Sequence, residues 1–130
     1  MQLGSTVSMS DEQTRVTADI LDHQNLAFLK GDVDEIMKDF SEQAILFTPD
    51  GVLEGIDSIR KFYTDVTSNI LPPGSYFKLS SQEVRGQTAY IVWSAESENY
   101  RFPLGTDTFF IKDGKIIAQT FAAKIEPKKT

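Results

Sequence analysis

The fold is decided by residues 27–63, which read AFLKGDVDEIMKDFSEQAILFTPDGVLEGIDSIRKFY. Gly31 is a natural residue to end one helix, and Asp32 with Glu35 three positions later forms a capping box that opens a second, short helix. The apolar run QAILFTP then predicts a strand, and Pro-Asp-Gly predicts a turn. A third helix is predicted after Gly55, because apolar residues recur there at steps of three and four.

The sequence on either side of this stretch completes the architecture. Upstream, residues 11–30 predict one long helix whose inward face includes Gln24. From Ser75 onward the chain is rich in β-branched and aromatic residues and predicts four long strands. The Asp-Gly pair in IKDGKI, residues 111–116, is typical of a tight type I′ hairpin turn. Three helices followed by an antiparallel meander predict an α+β domain, with the helices against one face of a curved sheet.

The chain has 130 residues, which is the size of one domain with a core of its own. We expect a flexible N-terminal arm over residues 1–9, a single domain over residues 10–127 and a short tail over residues 128–130. The N-terminal segment lacks the basic and apolar regions of a signal peptide, so a cytoplasmic location is expected.

Composition excludes several classes of function. There are no cysteines and one histidine, His23, so disulfides, thiolate nucleophiles and multi-histidine metal sites are excluded. The net charge of −6 argues against binding to nucleic acid, which requires basic side chains against phosphates. No apolar run approaches the length needed to span a membrane. We therefore expect no metal, no cofactor, no nucleic acid and no membrane partner.

Residues 27–63, together with GTDTFFIKDGKIIAQTFAA at residues 105–123, resemble the nuclear transport factor 2-like superfamily, and more closely its SnoaL-like branch. The similarity covers roughly residues 12–127. It implies a cone-shaped curved antiparallel sheet wrapped around the long first helix, with an internal pocket at the open end and homodimers formed through the sheet. Members include isomerases, cyclases, hydrolases and dehydratases as well as proteins without assigned chemistry, so this fold leaves the function open.

Steroid isomerases of that superfamily use three residues whose positions the resemblance carries to Thr48, Gln24 and Asp107. The family has an aspartate base at the first position, a tyrosine at the second and a protonated aspartic acid at the third. A threonine hydroxyl cannot abstract a carbon-bound proton as a carboxylate can, and an amide is a weaker acid than a phenol. The isomerase mechanism is therefore not inherited. Thr48 either contacts a ligand or only satisfies the turn before Pro49.

Asp107 is the candidate acid–base residue. Strand alternation places it on one face with Gly105, Phe109 and Ile111, in an apolar setting that would raise its pKa. A neutral carboxyl group there would suit a general acid or a hydrogen-bond donor. The alternative is an aspartate that is exposed, or satisfied within the protein, near the rim of the sheet.

The preceding strand, TAYIVWSAESE, offers two faces that periodicity cannot distinguish, because both are mostly apolar. The register of the family places Tyr90, Ser94 and Glu96 toward the pocket, with Trp93 outward beneath a dimer partner. Glu96 would then approach Asp107 and share a proton with it. The alternative for Glu96 is a solvated position at the strand end.

Several other residues complete the predicted site. Tyr63 lies on the inward face of the third helix, where a core role with one hydroxyl partner is the alternative. On the last strand, Gln119 is in phase with Phe121, and both are expected at the pocket with Phe109. His23 flanks the inward face of the first helix and is a candidate base; a position at the rim or surface is the alternative.

These residues predict a protein that binds a small, largely apolar organic molecule in its pocket. The alternative is a cofactor-independent isomerase, cyclase or hydrolase that uses Asp107 as its acid–base residue. Several polar groups that converge on an apolar cavity favour an enzyme, whereas the missing aspartate at position 48 favours a binding protein. Whether the chain is an enzyme stays open at this point.

Overall fold

Three helices and six strands follow one another in the computed structural model, which describes residues 9–128, with the side chains of residues 11–128. The helices are α1 (Met9–Lys30), α2 (Val33–Lys38) and α3 (Ile56–Asp65), and a π-helical segment (Val66–Ile70) continues α3. The strands are β1 (Phe40–Thr48), β2 (Gly51–Glu54), β3 (Tyr76–Arg85), β4 (Thr88–Glu96), β5 (Tyr100–Lys112) and β6 (Lys115–Pro127). The predicted α+β class is confirmed, and the four-residue strand β2 was not predicted.

The strands form one curved, unclosed sheet in the order β2-β1-β6-β5-β4-β3. All neighbouring pairs are antiparallel except β1 and β6, which run parallel, so the expectation of a wholly antiparallel sheet needs this one correction. The register shifts along four of the five strand pairs. Such bulges bend a strand and increase its twist, which gives this sheet its curvature.

The junction between α1 and α2 forms as the sequence predicts. Gly31 has φ +67°, and the backbone N–H of Asp32 donates to the Ala27 carbonyl at 2.9 Å, which closes α1. The Asp32 side chain then accepts from the Glu35 N–H at 3.2 Å and caps α2. The tight turn at residues 113–114 is also present, since Asp113 and Gly114 have φ 52° and 75°.

The core lies between the helices and the inner face of the sheet. From α1 it receives Thr17, Leu21, Gln24 and Ala27, all buried. The Thr17 hydroxyl donates to the Gly86 carbonyl at 2.7 Å, which ties α1 to the turn between β3 and β4. This inward face positions Gln24 at the cavity described below.

The ends of the predicted domain lie at the limits of the described residues. Met9 is already helical, while residues 1–8 of the predicted arm and residues 129–130 of the predicted tail lie outside the described part of the chain. Lys128 is held in place: its N–H donates to the Asn99 carbonyl at 2.8 Å, and its ammonium pairs with Glu96 at 2.5 Å. Within residues 9–128, no helix is long and apolar enough to cross a membrane.

Candidate functional site

The curved sheet, α1, α3 and the π-helical segment enclose a cavity of about 240 Å³. Its wall is mainly aromatic, and aliphatic side chains from the π-helical segment and the strands complete it. The aromatic lining residues are Phe28, Phe62, Tyr63, Phe77, Trp93, Phe102, Phe109 and Phe121. An engineered apolar cavity of about 150 Å³ holds benzene, so this space admits a larger ligand than one unsubstituted ring.

Asp107 lines this cavity from the middle of β5. Its Oδ1 atom is sealed from solvent and has no hydrogen-bond partner among the described residues. Burial raises the pKa of Asp107 to about 7, and hydrogen bonding from the Trp93 side chain opposes that increase in pKa. An unpaired buried carboxyl oxygen costs free energy.

Tyr63 and Gln119 form a buried pair beside Asp107. The Tyr63 hydroxyl donates to Gln119 Oε1 at 2.9 Å, and both residues line the cavity. Burial, and next the negative charge of Asp107, raise the pKa of Tyr63 above its ordinary value. Tyr63 therefore stays protonated at neutral pH, and its single proton is used within the protein.

Gln24 also lines the cavity, but its amide N–H groups point into the protein. They donate to the Ile36 carbonyl at 2.6 Å and to Asp39 Oδ2 at 3.0 Å. This pair of bonds fixes α1 against the C-terminal end of α2. The residue at this position therefore does not offer those donors to a ligand.

Trp93 is buried and lines the cavity, so the prediction that it faces outward is wrong. The reason is its partner across the sheet: Trp93 pairs with Gly105, and a Cβ at position 105 would lie 2.2 Å from the indole ring. The glycine thus leaves the space that the indole occupies on the inner face. Trp93 stacks on Phe77 at 5.6 Å and on Phe121 at 6.3 Å between ring centroids.

The rest of β4 follows from this register. Ile91, Trp93 and Ala95 face inward, so Tyr90, Ser94 and Glu96, which were expected at the pocket, lie on the outer face.

Glu96 therefore does not share a proton with Asp107. Its carboxylate pairs with Lys128 at 2.5 Å and with Arg101 at 3.6 Å. The bond from Lys128, more than that from Arg101, lowers the pKa of Glu96. The alternative of a solvated strand end describes this residue better than the pocket does.

Thr48 satisfies the turn after β1. Its hydroxyl donates to the Gly51 carbonyl at 2.9 Å and accepts from the Asp50 N–H at 3.2 Å. It is absent from the residues that line the cavity, so the turn alternative holds for this position.

His23 bridges two helices instead of facing the cavity. Its Nδ1 lies 2.5 Å from Asp39 Oδ2, and its Nε2 lies 2.9 Å from Glu35 Oε1. The bond to Asp39, followed by that to Glu35, raises the pKa of His23. The histidine is partly exposed and absent from the residues that line the cavity, so the alternative of a rim or surface position describes it.

Six of the predicted site residues do line the cavity: Gln24, Tyr63, Asp107, Phe109, Gln119 and Phe121. Sequence reasoning missed the wall residue Trp93 and two exposed carboxylates at the mouth, Asp50 and Asp65. The signal for Trp93 was Gly105 on the neighbouring strand, since a glycine inside a strand marks a place where another group packs closely on the backbone. Asp50 was assigned only to the turn, and nothing in the sequence separates Asp65 from other surface acids. Within residues 9–128, no cluster of His, Asp and Glu is suited to hold a metal ion.

A helix-covered cavity on a curved, unclosed sheet defines the nuclear transport factor 2-like class of α+β proteins. A model of the SnoaL-like domain family matches residues 21–119, and the chain belongs to that family. The predicted resemblance is confirmed.

Solved structures agree with this assignment. An NTF2-like protein of unknown function from Mesorhizobium loti has a TM-score of 0.74 at 21% identity, over 86% of this chain and 93% of that one. A provisionally assigned ketosteroid isomerase from Kribbella flavida has a TM-score of 0.73 at 16% identity, over 95% of this chain and 86% of that one. A provisionally assigned polyketide cyclase from Sinorhizobium meliloti has a TM-score of 0.65 at 19% identity, over 79% of this chain and 93% of that one. At these identities the likeness shows the fold alone, and no curated protein matches the sequence.

Proposed function

We propose that this SnoaL-like protein binds a small, largely apolar organic molecule in the cavity beside Asp107. The observation that carries the proposal is an aromatic cavity of about 240 Å³ that contains a buried carboxyl oxygen without a partner. Apolar walls with a few convergent polar groups are typical of ligand sites. The neighbours described as isomerases and cyclases have the same fold, which is in line with a ligand in this place.

The test is binding of a neutral aromatic probe, 1-phenylethanol, to the wild type and to two matched variants. Val66 lines the cavity, whereas Val52 on β2 is exposed. We expect Val66→Trp to fill the cavity and abolish binding, and Val52→Trp to bind as the wild type does. Amide chemical shifts measured during titration would report both affinity and place. Equal binding by the two variants would contradict the proposal.

A second candidate function is a cofactor-independent isomerase, cyclase or hydrolase with Asp107 as the acid–base residue. It is favoured by the pKa of Asp107, which burial raises to about 7 and so brings close to that of an effective catalyst at neutral pH. Thr48, at the position where the steroid isomerases have their aspartate base, is occupied with its turn.

Hydrogen–deuterium exchange tests the catalytic alternative without a known substrate. Acetophenone in D₂O would lose its methyl proton signals faster with wild-type protein than with Asp107→Asn if Asp107 moves protons at a bound carbonyl compound. Equal rates in both samples would argue for a binding protein without this chemistry.

A homodimer through the sheet is also a proposal. The middle of the outer face presents uncharged side chains, contributed by Ile45, Phe47, Tyr90, Val92, Thr106, Thr108, Phe110, Ala118 and Thr120. Phe47 and Tyr90 are 45% and 42% exposed, which is unusual for large apolar side chains grouped on one face. A second copy would cover them.

A cytoplasmic location is likewise a prediction from the sequence.

A further inference from the structure

The charged residues that line the cavity are all acidic. Among residues 9–128 they are Asp107 within the cavity and Asp50 and Asp65 at its exposed mouth, with no lysine, arginine or histidine in the lining. An anionic ligand would therefore meet only like charges. A ligand with one positive charge would supply the counter-charge that the site lacks.

The hydrogen-bond donors of two polar residues in the lining are already used. Gln24 donates to the Ile36 carbonyl and to Asp39, and the Tyr63 hydroxyl donates to Gln119. A carbonyl ligand would find these donors occupied. The Oδ1 atom of Asp107 stays unpaired, and an ionised carboxylate only accepts hydrogen bonds. This carboxylate is thus suited to a ligand that donates.

The aromatic walls of the cavity also favour a positively charged ligand. Aromatic rings attract a cation that lies within roughly 6 Å of a ring face, and the attraction is larger where water is excluded. Eight of the side chains that line this cavity are aromatic, with Trp93 and Tyr63 among them. A cation beside Asp107 would lie among rings instead of in bulk water.

We propose that the ligand of this cavity is a small organic monocation, a protonated amine carried on an apolar ring, with the Asp107 carboxylate as its counter-ion. This rests on the proposed ligand-binding function. The ring occupies the aromatic part of the cavity, and the ammonium donates to the Asp107 carboxylate. Asp50 and Asp65 attract the cation to the mouth.

The proposal fixes the direction of the pH dependence. In the empty cavity burial raises the pKa of Asp107 to about 7, so an amine that binds below this pH displaces a proton. Tyr63 on α3 is the titratable group that senses the charge of Asp107. The side chains facing it from the neighbouring strands, Ile91, Trp93 and Phe121, are uncharged, as is Gln24 on α1. Amine affinity therefore increases with pH through 7, whereas a carbonyl ligand that requires the neutral acid would lose affinity.

Three isosteric probes test the proposal: 1-phenylethylamine, 1-phenylethanol and acetophenone, compared by calorimetry at pH 6 and pH 8. We expect the amine to bind at least tenfold more tightly than the other two at pH 8. Its affinity should increase about tenfold from pH 6 to pH 8, following the ionised fraction of Asp107. At pH 6, close to one proton should be released for each amine bound.

Two variants complete the experiment. Asp107→Asn should reduce the preference for the amine over the alcohol to near one, while Asp19→Asn, an exposed position on α1, should keep the wild-type preference. Tighter binding of acetophenone, with affinity that decreases above pH 7, would overturn the amine proposal and leave the ligand-binding function intact. Failure of all three probes to bind at millimolar concentration would overturn both.

Discussion

At the scale of single residues, Asp107 and Gly105 decide what the site can do, although they are two positions apart on β5. Gly105 has no side chain, so the Trp93 indole can lie over it on the inner face. That indole closes the apolar surroundings of Asp107, and its polar group moderates the increase in the carboxyl pKa. The unusual pKa of the carboxyl group thus depends on a neighbouring position that carries no functional group.

The pKa of Asp107 predicts a specific loss of stability with increasing pH. Its ordinary pKa is 3.8, and in the folded protein it is about 7. Well below pH 3.8 the group is neutral in both states, and its ionisation affects neither. As the pH increases toward 7 the unfolded chain ionises first, so the free energy of unfolding decreases, by on the order of 3 kcal/mol between pH 5 and pH 8.

Urea unfolding of the wild type and of Asp107→Asn at these two pH values measures this effect. The asparagine stays neutral, so the variant should lack that decrease and exceed the wild type in stability at pH 8. Asp19→Asn serves as the exposed control and should follow the wild type. Parallel pH profiles for Asp107→Asn and the wild type would show that Asp107 ionises normally.

Gly105→Ala should destabilise the protein by about 1–3 kcal/mol, because the new methyl group overlaps the buried Trp93 ring. Backbone strain does not contribute, since Gly105 is not among the glycines with positive φ. The double variant Gly105→Ala/Trp93→Phe should recover part of the loss. Chemical denaturation of the wild type, Gly105→Ala, Trp93→Phe and the double variant measures these free energies of unfolding. If the losses of the two single variants simply add in the double variant, the contact between positions 93 and 105 is not the cause.

At the scale of elements, turns and caps obey local sequence rules, whereas strand faces do not. The end of α1 at Gly31, the cap of α2 at Asp32 and the hairpin turn at residues 113–114 form as predicted. For β4, alternation left two apolar faces, and the pairing with β5 selected the one that carries Trp93. The π-helical segment was predicted only as the end of α3, yet Val66 and Ile70 from it line the cavity.

Asp32→Ala should cost about 1 kcal/mol of stability, because it removes the side-chain acceptor that caps α2 at the Glu35 N–H. Asp32→Asn is the matched control, since asparagine keeps the acceptor without the charge and should stay close to the wild type. Thermal or urea unfolding of both variants provides the comparison. Similar losses in the two would assign the effect to the charge of Asp32 and not to the cap.

At the scale of the whole molecule, the two faces of the sheet have different roles. The inner face packs on the helices and bounds the cavity, and the outer face carries the uncharged side chains proposed to meet a second copy. Charged residues such as Glu83 on β3 and Lys112 on β5 lie near the edges of that surface. Such an arrangement is typical of an apolar interface with a polar rim.

Thr108→Arg should prevent the proposed dimer. Thr108 lies in the middle of the outer face, paired with Tyr90 and Thr120, where an arginine from each copy would be buried without a counter-charge. Light scattering should show a dimer for the wild type and a monomer for the variant. Thr64→Arg on the exposed side of α3 is the control and should remain dimeric. A monomeric wild type at high concentration would refute the dimer.

The sequence by itself predicted the three helices and five of the six strands in their order, because capping boxes, turn pairs and apolar periodicity act within a few residues of one another. The family followed from the resemblance of residues 27–63 and 105–123. It also indicated Asp107, through the position that the resemblance carries over and through alternation, which places this acid beside Phe109 and Ile111. Only the tertiary structure decided that Trp93 faces inward, that Gln24 and His23 are held by Asp39, and that Asp50 and Asp65 share the mouth. These facts depend on strand register and helix packing, which bring together residues far apart in the chain and cannot be derived from local patterns.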